Sequence, residues 1–327
     1  MVKSSDFITL PYSDDLTRGG IAYASKSLHY TYNRMGSSAL PRLRRIVAGV
    51  AVELAFRRYL VQEGIPHDNL GRTPFTDPDR YDIAIGGRRC DIKSFILKRK
   101  KCIRLIRDEP ERLLQAEALV PVDQSKSTPL GDTDLYIFAF LTALLTPNQD
   151  LLRKAIAAKQ PIHLIYPFAD QWARRDQTPL GELVLKSAAS QTLRVKLVGQ
   201  GQDQAAISED VTLQPGKRTK ARRTFRTLSH LHTPDLPDDL IGIHSPLLDE
   251  TEVIKPIDWG NIWVYGMEII FTGYITRGEF RQQACTIPAG SRVFQYPRTS
   301  TDNLSTPVQN LKPLAQLFAQ AKDWERK

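Results

Sequence analysis

The sequence predicts an α/β fold, and three stretches carry that reading. Leu43, Val47, Val50, Leu54 and Val61 recur at helical spacing ahead of Gly64. Gly86-Gly87 separates two strand-like runs and suits the positive φ angles of a two-residue hairpin turn. Asp134 to Thr142, apolar from Leu135 to Leu141, is of strand length and has the pattern of a strand covered on both faces. Helix, strands, helix, strand in that order describes helices laid against a sheet.

Taken in chain order, residues 1 to 38 are polar with scattered aromatics and a weak period. Ser37, Ser38 and Pro41 then supply a helix start and Gly64 a stop, with Arg42, Arg44, Arg45, Arg57 and Arg58 placed off the apolar stripe. The hairpin strands run over 81–85 and 88–97, a helix is expected over 108–120, and the buried strand follows at 134–142. From about 147 the texture changes. A helix near 149–159, a short strand within 161–167, an alternating run at 192–198, a basic run and a stretch holding Pro234, Pro237, Pro246 and Pro256 read as a β-rich insertion over 147–258. The core would then be discontinuous, 1–146 with 259–327. Its second part opens on an apolar β-like run at 262–275, continues with Thr276-Arg-Gly-Glu279 at the spacing of a capping box, and ends in a helix near 308–324.

Charge narrows the function classes. In 327 residues, 45 Lys and Arg stand against 36 Asp and Glu, a formal +9 that favours a polyanionic partner, nucleic acid first. No run approaches the roughly 20 apolar residues of a membrane span, since the longest, Leu135 to Leu145, is broken by Thr142. The opening MVKSSDFITLPYSDD has no charged segment followed by an apolar one, and Cys90, Cys102 and Cys285 form no CxxC pair. A cytoplasmic, reducing setting without membrane contact is expected.

The hairpin also carries the candidate chemistry. Across a two-residue turn at 86 and 87, cross-strand partners have a constant sum, which pairs Ile85 with Arg88 and Asp82 with Asp91. Lys93, two residues beyond Asp91, shares its face. Like charges set opposite one another weaken a ladder unless a cation lies between them. On the preceding helix Glu53 falls in the row Gly49, Glu53, Phe56, Leu60, where an unpaired carboxylate is costly. Three hard oxygen donors of this kind suit Mg²⁺ or Mn²⁺.

These residues resemble the PD-(D/E)XK, or restriction-endonuclease-like, nucleases. The matching elements are Glu53 on the helix, Asp82 heading the hairpin and Asp91-Ile92-Lys93 on its second strand, followed by a helix and the strand at 134–142, as in that family's αβββαβ core. Gly273-Tyr-Ile-Thr-Arg-Gly-Glu-Phe280 also resembles a segment found after this core in restriction-type members. The literal Pro-Asp pair is Pro78-Asp79. In a continued strand Asp79 would face away from Asp91, which selects Asp82, while a bulge near Arg80 would select Asp79 instead. The resemblance implies phosphodiester hydrolysis, with Asp82, Asp91 and the Ile92 carbonyl holding a divalent ion, Glu53 completing the site directly or through water, and Lys93 orienting the attacking water and stabilising anionic charge. The expectation is therefore a Mg²⁺- or Mn²⁺-dependent DNA endonuclease of restriction or defence, acting as a homodimer so that one site per chain cuts each strand. A structure-selective or repair nuclease and a non-cutting nucleic-acid-binding module are the competing expectations. The opposing structural reading makes Asp82 a strand-edge charge, Asp91 and Lys93 a surface ladder pair, and Glu53 the partner of a neighbouring Arg.

Two basic runs could follow a phosphate backbone: Lys98, Lys100, Lys101 and Arg104 just after the hairpin, and Lys217, Arg218, Arg222 and Arg223 in the insertion. His230-x-His232 is the one histidine pair with spacing that invites a metal, and it is set aside as a common chance pattern. The chain has no GxxxxGK[ST] phosphate loop and no GxSxG nucleophile elbow.

Overall fold

The computed structural model describes residues 1–31, 39–68, 82–127, 131–146, 148–174, 178–263 and 268–325. In chain order these form strand β1 (Ile8–Pro11), helices α1 (Asp14–Thr31) and α2 (Ala39–Gln62), strands β2 (His67–Asp68), β3 (Ile83–Ile85) and β4 (Arg88–Leu97), and helix α3 (Lys100–Asp108). Strand β5 (Glu117–Pro121), helix α4 (Val122–Ser127) and strand β6 (Leu135–Thr142) follow. Helix α5 (Gln149–Ala157), strand β7 (Leu164–Pro167) and helix α6 (Asp170–Ala173) lead into β8 (Gly181–Ser187), β9 (Leu193–Gln200), β10 (Ala206–Leu213), β11 (Arg218–Phe225), β12 (Thr227–Thr233), β13 (Ile241–Ser245), β14 (Glu250–Ile254) and β15 (Gly260–Asn261). The chain closes with β16 (Glu268–Thr276), α7 (Arg277–Gln283), β17 (Cys285–Ile287), β18 (Asn303–Pro307) and α8 (Leu314–Glu325). The protein is thus mixed α/β. It divides into two compact units, one of Met1–Gly19, Ala48–Leu144 and Gly266–Lys327, the other of Gly20–Val47 and Leu145–Tyr265.

The first unit is built on a six-stranded mixed sheet in the order β1-β16-β6-β4-β3-β2, where β4 and β6 run parallel and the other pairs antiparallel. Every residue of β6 is buried, as its continuous apolar run requires of a central strand. Aromatic side chains mark both faces. Phe56 of α2 lies 4.7 Å from Phe271 of β16 and 6.3 Å from Phe318 of α8, ring centre to ring centre. On the other face Phe95, Tyr136, Phe138 and Phe140 join a core with Ile103 and Ile106 of α3, Phe280 of α7 and Leu119 of β5. A second, three-stranded sheet, β17-β18-β5, adjoins that core. The β16–β6 ladder carries a bulge between Phe271 and Gly273, and Gly273 takes φ +154 where a Cβ would stand 2.6 Å from the Lys312 carbonyl oxygen.

The helix ending at Gln62 stops as expected: Gly64 adopts φ +58, its amide donates to Val61 O and the Ile65 amide to Leu60 O, the Schellman arrangement. Val61 is exposed rather than part of the stripe, because the buried face of this helix runs through Val47, Ala51, Val52, Ala55, Phe56 and Leu60. The expected helix at 108–120 is not formed. Pro110, which has no amide proton, ends α3 at Asp108, a 3₁₀ segment covers Pro110–Gln115, and β5 begins at Glu117. The helix instead lies earlier, over residues with a basic outer side. Thr276 and Glu279 close the predicted capping box at the start of α7. The last helix starts at Leu314, after Pro313, rather than near 308.

The second unit is β-rich, with a five-stranded sheet β10-β9-β12-β7-β15 and a four-stranded sheet β11-β8-β13-β14. Alternate residues of β8, Leu183, Leu185 and Ser187, and of β13, Ile241, Ile243 and Ser245, are buried. The basic run at 217–226 is largely strand β11, and the proline-rich stretch holds the paired strands β13 and β14 between its prolines. Arg44, from the part of α2 in this unit, donates to Asn261 O through Nε at 2.9 Å and Nη2 at 2.5 Å.

Candidate functional site

The hairpin has the register its turn requires. Gly86 and Gly87 adopt φ +55 and +72, and Ile83 pairs with Cys90, Ala84 with Arg89 and Ile85 with Arg88. Asp82 stands one step past the end of β3. Its amide donates to Cys90 O at 3.0 Å, while its carboxylate turns into the ladder and Oδ2 accepts the Ile92 amide at 2.6 Å. A carboxylate thus takes the place that a further β3 residue would have occupied. The Ile92 carbonyl lies on the same strand edge, beyond the last paired residue of β3.

Asp91 and Lys93 are opposite Tyr136 and Phe138 of β6 and share their face. Lys93 Nζ is 2.7 Å from Asp91 Oδ2 and 3.0 Å from Gln124 Oε1, and lies 5.9 Å from the centre of the Tyr136 ring. The two charged side chains are only 16% and 17% exposed. Burial opposes the ammonium, but the Asp91 charge and hydrogen bond prevail and hold the Lys93 pKa above its usual value. Lys93 is a cation here. Arg277 of α7 meets the same Tyr136 ring, its guanidinium 5.6 Å from the ring centre and donating to Ser125 O at 2.8 Å.

Glu53 belongs to the helix whose Phe56 packs on the opposite face of the sheet, where Phe271 is opposite Ala139. Its side chain is 27% exposed, with Arg57 Nη2 3.8 Å from Oε2. Arg57 is the link to the hairpin, since the same Nη2 donates to the backbone oxygen of Asp82 at 2.7 Å. Asp82 therefore lies near the sheet plane, between Glu53 on one side and Asp91 on the other. Burial, then the Glu53 charge, then the Asp91 charge push its pKa well above the usual carboxylate range, against the lowering effect of the Ile92 amide and Lys93.

The structure thus brings Asp91 and Lys93 into direct contact and Asp82 into electrostatic reach of Glu53, Asp91 and Lys93. Asp82 does not project from a paired strand beside Asp91, as the extended register would have it, because β3 stops at Ile83. Among the described residues no three His, Cys, Asp or Glu side chains close round one point that could enclose a metal ion. Asp79 and Arg80 lie outside the described residues. Arg57, Gln124, Tyr136 and Arg277 were not singled out as functional by the sequence. Arg57 follows Glu53 by four residues and is the neighbouring Arg that the opposing structural reading paired with Glu53, whereas Gln124 and Arg277 meet Lys93 and Tyr136 only through the tertiary fold.

The basic residues fall in two places. Lys98, Lys100, Lys101 and Arg104 are exposed at and along α3, whose Cys102, Ile103 and Ile106 are buried. In the second unit Lys217, Arg218, Arg222 and Arg223 are exposed at and along β11. Arg218 is directly opposite Lys186 of β8, also exposed, and Lys220 is two residues further along the strand. Two like charges facing across a ladder weaken it slightly. Glu209 accepts the Arg222 and Arg223 amides at 2.8 Å each, which fixes the bulged end of β11. His232 pairs with His163 rather than with His230, the two ring nitrogens 3.4 Å apart.

No family model, curated protein or solved structure matches this chain. No helix among the described residues is long and apolar enough to cross a membrane.

Proposed function

We propose that the protein is a metal-dependent DNA endonuclease of the restriction-endonuclease-like type, working in restriction or another defence against foreign DNA. The observation that carries this reading is the Lys93 ammonium, largely buried and held by Asp91 and Gln124, beside an Asp82 carboxylate whose charge is disfavoured by its own surroundings. A fold gains little from crowding these acids, whereas a hard divalent cation would relieve them.

The donor chemistry fits Mg²⁺ or Mn²⁺: Asp82, Asp91 and the Ile92 carbonyl would hold the ion, with Glu53 joining directly or through water. Such an ion supplies an acidified water and neutralises charge on the phosphate. Lys93 stabilises the anionic transition state and orients the nucleophile as a permanent cation, with Asp91 and Gln124 fixing its position. Arg57 holds the Asp82 backbone in place. The exposed cations of α3 and β11 contact phosphates, and a homodimer would place one such site at each strand of a duplex. A non-cutting nucleic-acid-binding module is the second reading, favoured by the Asp82–Ile92 hydrogen bond, which gives that carboxylate a structural use.

Incubation with supercoiled plasmid and with RNA, with and without Mg²⁺ or Mn²⁺, separates the readings. Cation-dependent DNA cleavage lost in Lys93→Ala and Asp91→Ala, both folded, is expected. Binding without cleavage in any divalent cation would establish the second reading, and full cleavage in excess chelator would refute the metal requirement.

A further inference from the structure

A groove of about 670 Å³ opens between α3 and the segment after β17, within the first unit. Its charged lining is Arg99, Lys101 and Arg292, with Glu117 as the single carboxylate. Glu117 is already engaged, because Ser305 Oγ donates to its Oε2. Lys101 and Arg292 are exposed and meet no carboxylate among the described residues. The remaining walls are apolar, formed by Leu105, Val293 and Phe294, and the Gln115 amide stands at one side. Arg99 Nη2 donates to Phe294 O at 2.7 Å and so fixes the aromatic wall against α3.

We propose that this groove binds a nucleoside monophosphate. Cations and apolar wall together select the ligand class. A guanidinium and an ammonium left without carboxylates are suited to a phosphate, which Arg can grip through two parallel hydrogen bonds. A bare anion would leave the Phe294 side dry and unused, while a planar base fills it and offers polar edges to Gln115, an amide with both donors and an acceptor. The volume lies in the range of small-ligand pockets. The groove contains none of Glu53, Asp82, Asp91 and Lys93 and shares only Lys101 with the proposed phosphate contacts of α3, so the inference does not depend on the nuclease centre.

Calorimetric titration of the full chain in chelator, with AMP, inorganic phosphate and benzoate as probes, tests it. One AMP per chain is expected. Arg292→Ala and Lys101→Ala should each weaken AMP about tenfold, the loss of one charge-assisted contact. Phe294→Ala should weaken AMP while leaving any phosphate binding unchanged. Both cations are exposed, so these variants should keep the parent melting temperature. Absence of saturable AMP binding at millimolar concentration would overturn the proposal. So would AMP affinity indifferent to both cation variants, or benzoate binding as tightly as AMP.

Discussion

Replacing Asp82 by Asn and by Ala separates a charge held for function from an oxygen held for structure. Asn retains a carbonyl oxygen for the Ile92 amide and removes one negative charge from between Glu53 and Asp91. Relief of two like-charge neighbours and of burial should stabilise Asp82→Asn by about 1–2 kcal/mol in metal-free buffer at pH 8. For a unit of this size that raises the melting temperature by roughly 2–8 °C. Ala gives the same relief but abandons the buried amide, so Asp82→Ala should fall below Asp82→Asn by about 1–3 kcal/mol. The sign with pH follows from the raised pKa: the folded chain holds the Asp82 proton more tightly than the unfolded chain, so wild-type stability declines as pH rises from about 4 through the folded value. The Asn advantage should be absent below that window and open across it. Added Mg²⁺ should stabilise the wild type by about 1.4 kcal/mol at ten times its Kd and leave Asp82→Asn unmoved. Thermal and urea unfolding of the three proteins, with and without Mg²⁺, measure all of this. A less stable Asp82→Asn with the same Mg²⁺ response as wild type would refute the reasoning and leave Asp82 as a ladder cap alone.

Four further outcomes are expected. Thr276→Ala should cost about 1 kcal/mol in urea unfolding by opening the α7 capping box. Although burial opposes it, hydrogen bonds from Lys312 and Thr276 hold the Glu279 pKa below its usual value, so the stability lost in Glu279→Gln should be present above about pH 4.3 and vanish as pH falls through the lowered folded value. Gly273→Ala should destabilise by about 2–3 kcal/mol, since its φ of +154 suits glycine and its Cβ would press on Lys312 O, and a smaller loss in calorimetry would show that the bulge can relax. Lys186→Gln and Arg218→Gln should each reduce the slope of duplex affinity against salt by about 0.9, as read by fluorescence anisotropy, and an unchanged slope would take the β8–β11 face out of nucleic-acid contact.

What could be read from the sequence was local. The Gly-Gly turn dictates a register, so the pairing of 83–85 with 88–90 followed from arithmetic, and the Thr276 capping box and the apolar run of β6 were equally self-contained. The sequence could not tell where β3 ends, and that single boundary decides whether the Asp82 carboxylate projects from the sheet or turns into it. The basic residues near 100 masked an amphipathic helix because its apolar side is only Cys102, Ile103 and Ile106, and the periodicity over 108–120 gave way to Pro110. Glu53 was correctly placed on a helix, but which face of the sheet that helix covers depends on Phe56 meeting Phe271, more than two hundred residues away in the chain. Gln124 and Arg277 are brought to Lys93 and Tyr136 by the same long-range packing.

Strand β6 has consequences for the order in which the protein can be made. One of its neighbours, β4, is already synthesised when β6 emerges, but the other, β16, follows only after the whole second unit. During that interval an eight-residue strand, apolar at every position but Thr142, has an unfilled edge of amides and carbonyls. The nascent chain must therefore shield β6 while more than a hundred residues are translated, and a product terminated before Glu268 would keep that edge permanently. Premature termination should yield aggregates rather than a smaller soluble protein, and delayed arrival of β16 sets the period in which the growing chain most needs a chaperone.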